Sequence, residues 1–128
     1  MSKNLPVIFL IDDEEIQLGL MKTILSTLPL EIKAYSNPEK AWEELSVHHP
    51  QVVLLDLNMP KLNGQGWMTR LSEERKMNDF SLVVVTANRM DEDTEFGLLS
   101  MGAMEVVSKP VKPEEIRQLV MELLSEKL

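Results

Sequence analysis

The chain has 128 residues, no Cys, and 13 Lys+Arg against 21 Asp+Glu, for a formal net charge of −8. That length fits about one domain with a core of its own, expected to fill residues 1–128. The lack of Cys excludes disulfide scaffolds, Cys-ligated zinc, thiol catalysis and iron–sulfur clusters, and the acidity argues against a direct binder of nucleic acid or anionic membrane, which needs a basic face.

Met1-Ser2-Lys3-Asn4 runs straight into the apolar Val7-Ile8-Phe9-Leu10-Ile11, too short for a signal peptide or a bilayer span. With the missing Cys, this predicts a cytoplasmic protein. The run reads as a strand buried on both faces, closed by Asp12-Asp13. Ile16, Leu20, Ile24 and Leu28, with Met21 and Leu25, then form an apolar stripe expected to face the core of a helix. Leu30 to Tyr35 alternates apolar and polar residues, as an edge strand does. Asn37-Pro38 supplies an N-cap and a first-turn proline for a second helix carrying Ala41, Trp42 and Leu45. His48-His49 falls at its end and is expected in an exposed loop.

Val52-Val53-Leu54-Leu55 is a further buried strand, followed by Asp56. Trp67, Met68 and Leu71 mark a short helix after Gly64, with both Trp42 and Trp67 expected to be partly buried. Leu82-Val83-Val84-Val85 is the fourth strand, closed by Thr86. Asp91 to Glu95 places acids where a helix dipole favours them, with Phe96, Leu99 and Met101 following and Gly102 as the stop. Met104 with Val106-Val107 makes the last strand, ahead of Ser108 and Lys109. Pro113 opens a final helix with Ile116, Leu119, Val120, Leu123 and Leu124 on its buried side. The nine Met are read as adaptable packing.

Five β-α units in succession imply a parallel sheet with right-handed crossovers and helices on both faces, a three-layer α/β sandwich. Ligands in such sheets bind at the carboxyl ends of the strands. There the sequence places Asp12, Asp13, Asp56, Thr86, Ser108 and Lys109. Three acids in one crevice repel one another unless a cation joins them, and hard oxygen ligands suit Mg²⁺. Lys109 is suited to neutralise an anionic group brought to Asp56, and Thr86 to hydrogen-bond it. The combination points to Mg²⁺-assisted phosphoryl chemistry with an aspartate as nucleophile.

With Asp12-Asp13, Asp56-Leu57-Asn58-Met59-Pro60 running on to Gly64, Thr86-Ala87 and Lys109-Pro110, the chain resembles the response-regulator receiver domains of two-component signalling, from Val7 to about Leu124. The resemblance implies a flavodoxin-like sheet of order 2-1-3-4-5. It implies phosphorylation of Asp56 by a histidine kinase or histidine phosphotransfer protein. Asp13, Asp56 and the Asn58 backbone carbonyl would hold Mg²⁺, with Asp12 acting through metal-bound water. Lys109 would contact a phosphoryl oxygen, Thr86 would report phosphorylation, and the peptide before Pro110 would be cis. Asn58 and Asn88 occupy positions that tune the lifetime of the phosphoryl group in this family. The output would go to a protein partner at the face of the fourth helix, fifth strand and fifth helix, from a monomer or weak homodimer, and the acids from Asp91 to Glu95 would favour a basic partner. Val106 departs from the family, which often has Tyr or Phe there as the second half of the Thr86 switch.

Two competing readings differ in chemistry. A phosphorylation-independent pseudo-receiver would not need the five matching residues. An aspartate-nucleophile phosphohydrolase of the haloacid-dehalogenase type needs a second acid two residues after the nucleophile, where Asn58 stands. Nucleotide binding lacks its Gly-rich loop after the first strand. The expected activity is therefore that of a phosphoacceptor catalysing only its own phosphotransfer and dephosphorylation. Five β-α units take up the length, so no output module is expected within it.

Overall fold

A computed structural model describes residues 5–57, 64–74, 79–87 and 91–126. Ten elements alternate: β1 (Val7–Ile11), α1 (Glu15–Leu25), β2 (Glu31–Tyr35), α2 (Pro38–His48), β3 (Val52–Asp56), α3 (Gly64–Glu73), β4 (Ser81–Thr86), α4 (Glu92–Ser100), β5 (Glu105–Ser108) and α5 (Pro113–Glu126). The five strands form one sheet of order β2-β1-β3-β4-β5, all neighbours parallel. Strand side chains alternate between faces, and each face of the sheet is covered. Phe9, Val53, Leu55 and Val84 pack with Trp42, Met68 and Leu98, from α2, α3 and α4. Ile8, Leu54, Val83 and Val85 pack with Leu18, Leu25, Ile116 and Val120, from α1 and α5. This is the three-layer sandwich the apolar runs predict. Among the described residues, no helix is long and apolar enough to cross a membrane.

Local signals place several boundaries. The Asn37 side chain accepts the Glu39 N–H at 2.9 Å, and Pro38 takes the first helical position of α2, where its missing N–H costs nothing. Gly102 has φ 116°, a left-handed conformation that suits glycine just beyond α4. Trp67 is more deeply placed than its sequence suggests. It is fully buried, donates its indole N–H to the Pro38 carbonyl at 3.1 Å, and meets Trp42 edge-on at 5.6 Å. Arg70 lies 4.1 Å over the Trp42 ring while pairing with Glu39 at 2.7 Å, which closes the α2–α3 seam.

Two expectations are corrected, for α1 and for His48, and α4 shows which of its apolar residues meets the core. The buried face of α1 is Leu18 and Leu25, with Met21 and Ile24 alongside, whereas Ile16 is 78% and Leu20 55% exposed. A series spaced by four advances about 40° per step around a helix of 3.6 residues per turn, so the stripe starts off the sheet-facing side at Ile16 and Leu20 and reaches it only at Ile24 and Leu28. On α4 the buried residue is Leu98, while Phe96 is 72% and Leu99 41% exposed. Finally, His48 is not in a loop. It is the last residue of α2, half-buried, with Nε2 2.9 Å from Glu44 Oε1 and its ring edge-on to Phe9, while the neighbouring His49 is exposed with φ 48°.

Candidate functional site

Strand register assembles the site. Ile11 pairs with Leu55, so the residues that follow, Asp12 and Asp56, come abreast on adjacent strands. Asp56 pairs with Val85, which sets Thr86 one step beyond it, and Thr86 pairs with Ser108, just ahead of Lys109. Backbone bonds fix these ends: Asp12 N–H to the Tyr35 carbonyl (3.1 Å), Leu57 N–H to Val85 (3.0 Å) and Lys109 N–H to Thr86 (2.8 Å). Short parallel strands stopping level with one another therefore deliver all these residues to the carboxyl edge.

Asp12, Asp13 and Asp56 each present a carboxylate oxygen, and these oxygens lie within 4.8 Å of one another. Asp12 and Asp56 are buried and Asp13 is half-buried. Lys109 Nζ is 3.2 Å from Asp12 Oδ2 and 3.9 Å from Asp56 Oδ2. One ammonium among three carboxylates leaves the pocket two charges negative. Such a set of hard oxygens, held close and under-neutralised, is suited to a divalent cation such as Mg²⁺. Asp12 also accepts the Glu14 N–H through Oδ1 at 3.0 Å, at the entrance to α1. This short turn precedes the N-cap of α1, Glu14, and leaves Oδ2 of Asp12 facing Lys109.

Thr86 is buried at the end of β4. Val106 is partly buried against the core on the α2–α3–α4 side of the sheet. The Lys109–Pro110 peptide is cis. Asn58, Met59, Pro60 and Asn88 lie outside the described residues. Beside the carboxylates opens a cavity of about 520 Å³, walled by Leu18, Met21 and Ile24 of α1 and by Val111. Sequence reasoning missed that cavity and the part Tyr35 plays at the site. The Tyr35 carbonyl anchors Asp12, and its hydroxyl donates to Glu44 at 2.9 Å. Burial, reinforced by the Glu44 carboxylate, raises the phenol far above its ordinary range. Glu44 is held low by accepting from Tyr35. No sequence signal marks either contact, because the first depends on the β1–β2 register and the second on how β2 and α2 sit together.

The family model of the response regulator receiver domain matches residues 8–121. A probable transcriptional regulator, ycf27, of Cyanophora paradoxa is 33% identical over 124 residues, covering 97% of this chain and 50% of that protein. The alkaline phosphatase synthesis transcriptional regulatory protein PhoP of Bacillus subtilis is 28% identical, covering 91% of this chain and 48% of that protein. The chain thus spans about half the length of the curated relatives it matches. In structure it is similar to the signal receiver domain of a Luxo repressor protein from Vibrio parahaemolyticus (TM-score 0.87, 21% identity, 95% of this chain and 92% of that one). It is also similar to a CheY-like receiver domain from Methanospirillum hungatei (TM-score 0.83, 23% identity, 96% of each chain). With the sheet order, the acidic cluster at the carboxyl edge and a match spanning nearly the whole sequence in agreement, the chain belongs to the response regulator receiver domain family of two-component signalling.

Proposed function

We propose that this domain accepts a phosphoryl group onto Asp56 from a phosphohistidine of a histidine kinase or histidine phosphotransfer protein. The observation that carries the reading is the convergence of Asp12, Asp13, Asp56 and Lys109 within a single pocket. An Asp56 carboxylate oxygen attacks phosphorus, the O–P bond forms as the N–P bond breaks, and the departing imidazole keeps the bonding pair and takes a proton. Asp12, Asp13, Asp56 and the Asn58 carbonyl would hold Mg²⁺. When bound, it offsets the charge gathering on the transferred group. Lys109 stands near enough to Asp56 to swing onto a phosphoryl oxygen. Thr86 hydrogen-bonds that group and turns its arrival into a shift between two populations of the surface. Val106 leaves the switch without its usual aromatic half, so Thr86 and the segment after it carry the change.

The output is a protein contact at the α4–β5–α5 face, made by a cytoplasmic monomer or weak homodimer whose phosphoryl group is lost by self-catalysed hydrolysis. We read the chain as one receiver domain with no direct contact to nucleic acid or membrane. A carboxamide at Asn58, and to a lesser degree at Asn88, orients attacking water and keeps the phosphoryl state short-lived; an Asn58→Ala variant that loses its label faster than wild type would refute this.

The decisive experiment is incubation with acetyl phosphate and Mg²⁺, followed by intact-mass analysis. The wild type should gain one phosphoryl group and Asp56→Asn none. Stable labelling of Asp56→Asn, or a wild type that stays unlabelled with both acetyl phosphate and phosphohistidine donors, would overturn the assignment. Sustained turnover of a generic phosphate ester would favour a hydrolase.

A further inference from the structure

The cavity of about 520 Å³ beside the carboxylates is larger than a phosphoryl group needs. Its floor is the α1–α5 face of the sheet, where Leu10, Leu54 and Val85 are buried. Met21 and Ile24 of α1 line it, as do Pro110 and Val111 ahead of α5. Gln17, Met21 and Ile24 follow one another at steps of four and three, on one side of the helix, so the cavity runs about 10 Å along α1. Asp12, Asp56 and Lys109 line the end where α1 begins. At the far end Arg117 Nε donates to the Ile24 carbonyl at 2.9 Å and ties α5 to α1.

A long apolar recess with a few charged groups at one end is the form of a site for a small molecule with an apolar body and a polar head. The charged end is the phosphoryl site, so the head is a phosphoryl group. The body must then be an apolar chain joined to phosphorus by a bond that a carboxylate can displace, which is the chemistry of an acyl phosphate. Gln17 lines the same cavity, and its side-chain amide can donate to the acyl carbonyl. A phosphoimidazole ring alone would leave the Ile24 end unfilled.

We infer that the recess takes the alkyl chain of straight-chain acyl phosphates such as butanoyl and hexanoyl phosphate, so that these donate to Asp56 faster than acetyl phosphate does. The inference rests on Asp56 being the phosphoacceptor, and it adds the class of small-molecule donor. An Asp56 carboxylate oxygen attacks phosphorus and forms the new O–P bond. The bond from phosphorus to the acyl oxygen breaks, and the fatty carboxylate departs with that electron pair; no proton moves. Straight-chain acids differ little in basicity, so chain length changes contact with the apolar wall and not the leaving group. Contact made in both ground and transition states appears as a faster rate at low donor concentration.

The test is intact-mass labelling in MgCl₂ with acetyl, butanoyl and hexanoyl phosphate, each well below saturation. At about twofold per half-covered methylene, butanoyl phosphate should label the wild type about fourfold faster than acetyl phosphate, and hexanoyl phosphate about sixteenfold faster. Met21→Trp fills the recess, and Leu20→Gln puts a polar group on its wall. Both should pull the hexanoyl-to-acetyl ratio toward one, while Ile16→Gln, on the solvent side of α1, should keep it. Leu20 is 55% exposed, so its replacement leaves the fold intact even if Met21→Trp does not. A readout without turnover uses phosphonates, whose C–P bond is not displaced: hexylphosphonate should shift the Met21 methyl resonance of the wild type, and methylphosphonate should not. Equal rates for the three donors, rates that fall with chain length, a ratio that Leu20→Gln leaves unchanged or a Met21 methyl unmoved by hexylphosphonate would overturn the inference. A wild type labelled equally by acetyl and hexanoyl phosphate loses only this inference, whereas one labelled by no donor loses the phosphoacceptor assignment as well.

Discussion

Neutralising Asp56 should stabilise the metal-free fold. Asp56 lies within 4.8 Å of carboxylate oxygens on both Asp12 and Asp13 and 3.9 Å from the Lys109 ammonium. At an effective dielectric of about 20, each repulsion is worth about 3.5 kcal/mol and the attraction about 4.3 kcal/mol. Two repulsions outweigh one attraction by about 2–3 kcal/mol, and burial of the Asp56 charge adds in the same direction. Asp56→Asn, of similar shape, should therefore raise unfolding stability in EDTA by about 2–3 kcal/mol. At about 4 °C per kcal/mol for a domain of this size, that is a rise in Tm of about 10 °C. Mg²⁺ should narrow the gap, because a cation at 100 times its Kd stabilises the wild type by about 2.7 kcal/mol and the variant, one carboxylate short, by less. Urea unfolding of both proteins, each in EDTA and in MgCl₂, gives the four stabilities required. An Asp56→Asn protein no more stable than wild type in EDTA, or one that gains as much from Mg²⁺, would refute the view that repulsion among these carboxylates creates the cation site.

Lys109→Ala removes the only ammonium within 4.0 Å of Asp12 and Asp56 among the described residues, so it should destabilise the metal-free fold while leaving Mg²⁺ binding measurable by calorimetry; phosphorylation should then no longer shift the Thr86 amide resonance. Tyr35 is the single tyrosine, and its raised phenol should stay protonated well past the ordinary midpoint near 10 in a titration at 295 nm. A raised folded value means that its contribution to stability is complete below the unfolded value and is lost as pH rises through the folded one; an ordinary titration curve for native protein would contradict its burial. Asp91 is held below the usual carboxylate range by the Thr94 N–H, so its cap is present above the unfolded value and lost as pH falls through the folded one. The protection of the Thr94 amide, its exchange rate relative to the unstructured chain at the same pH, should fall on acidification, and should be low at all pH values in Asp91→Ala. Gly97→Ala sits in open space within α4 and should stabilise the protein by about 0.5–1 kcal/mol, measured by thermal unfolding; a loss would show that the glycine conformation matters there.

The residue patterns by themselves were enough for five parallel strands and the residues at their ends, while the order 2-1-3-4-5 came only with the family resemblance. Val52 to Leu55 and Leu82 to Val85 are unbroken β-branched and aliphatic runs, a pattern forced by burial on both sheet faces, and such a run ends where polar residues such as Asp56 and Thr86 begin. Periodicity was weaker evidence for helix faces. Ile16 and Leu20, or Phe96 and Leu99, are spaced as core residues are, yet which arc of a helix meets the sheet depends on its docking angle, a property of two elements together. The tertiary structure alone decided that Ile11 pairs with Leu55, which brings Asp12 abreast of Asp56 across more than forty residues of chain. It likewise decided that Lys109 reaches Asp12 more closely than Asp56, and that Trp67 is fully enclosed under α2. Residue types are local and survive in the sequence as patterns; distances between elements arise only once the sheet register and helix packing have been chosen.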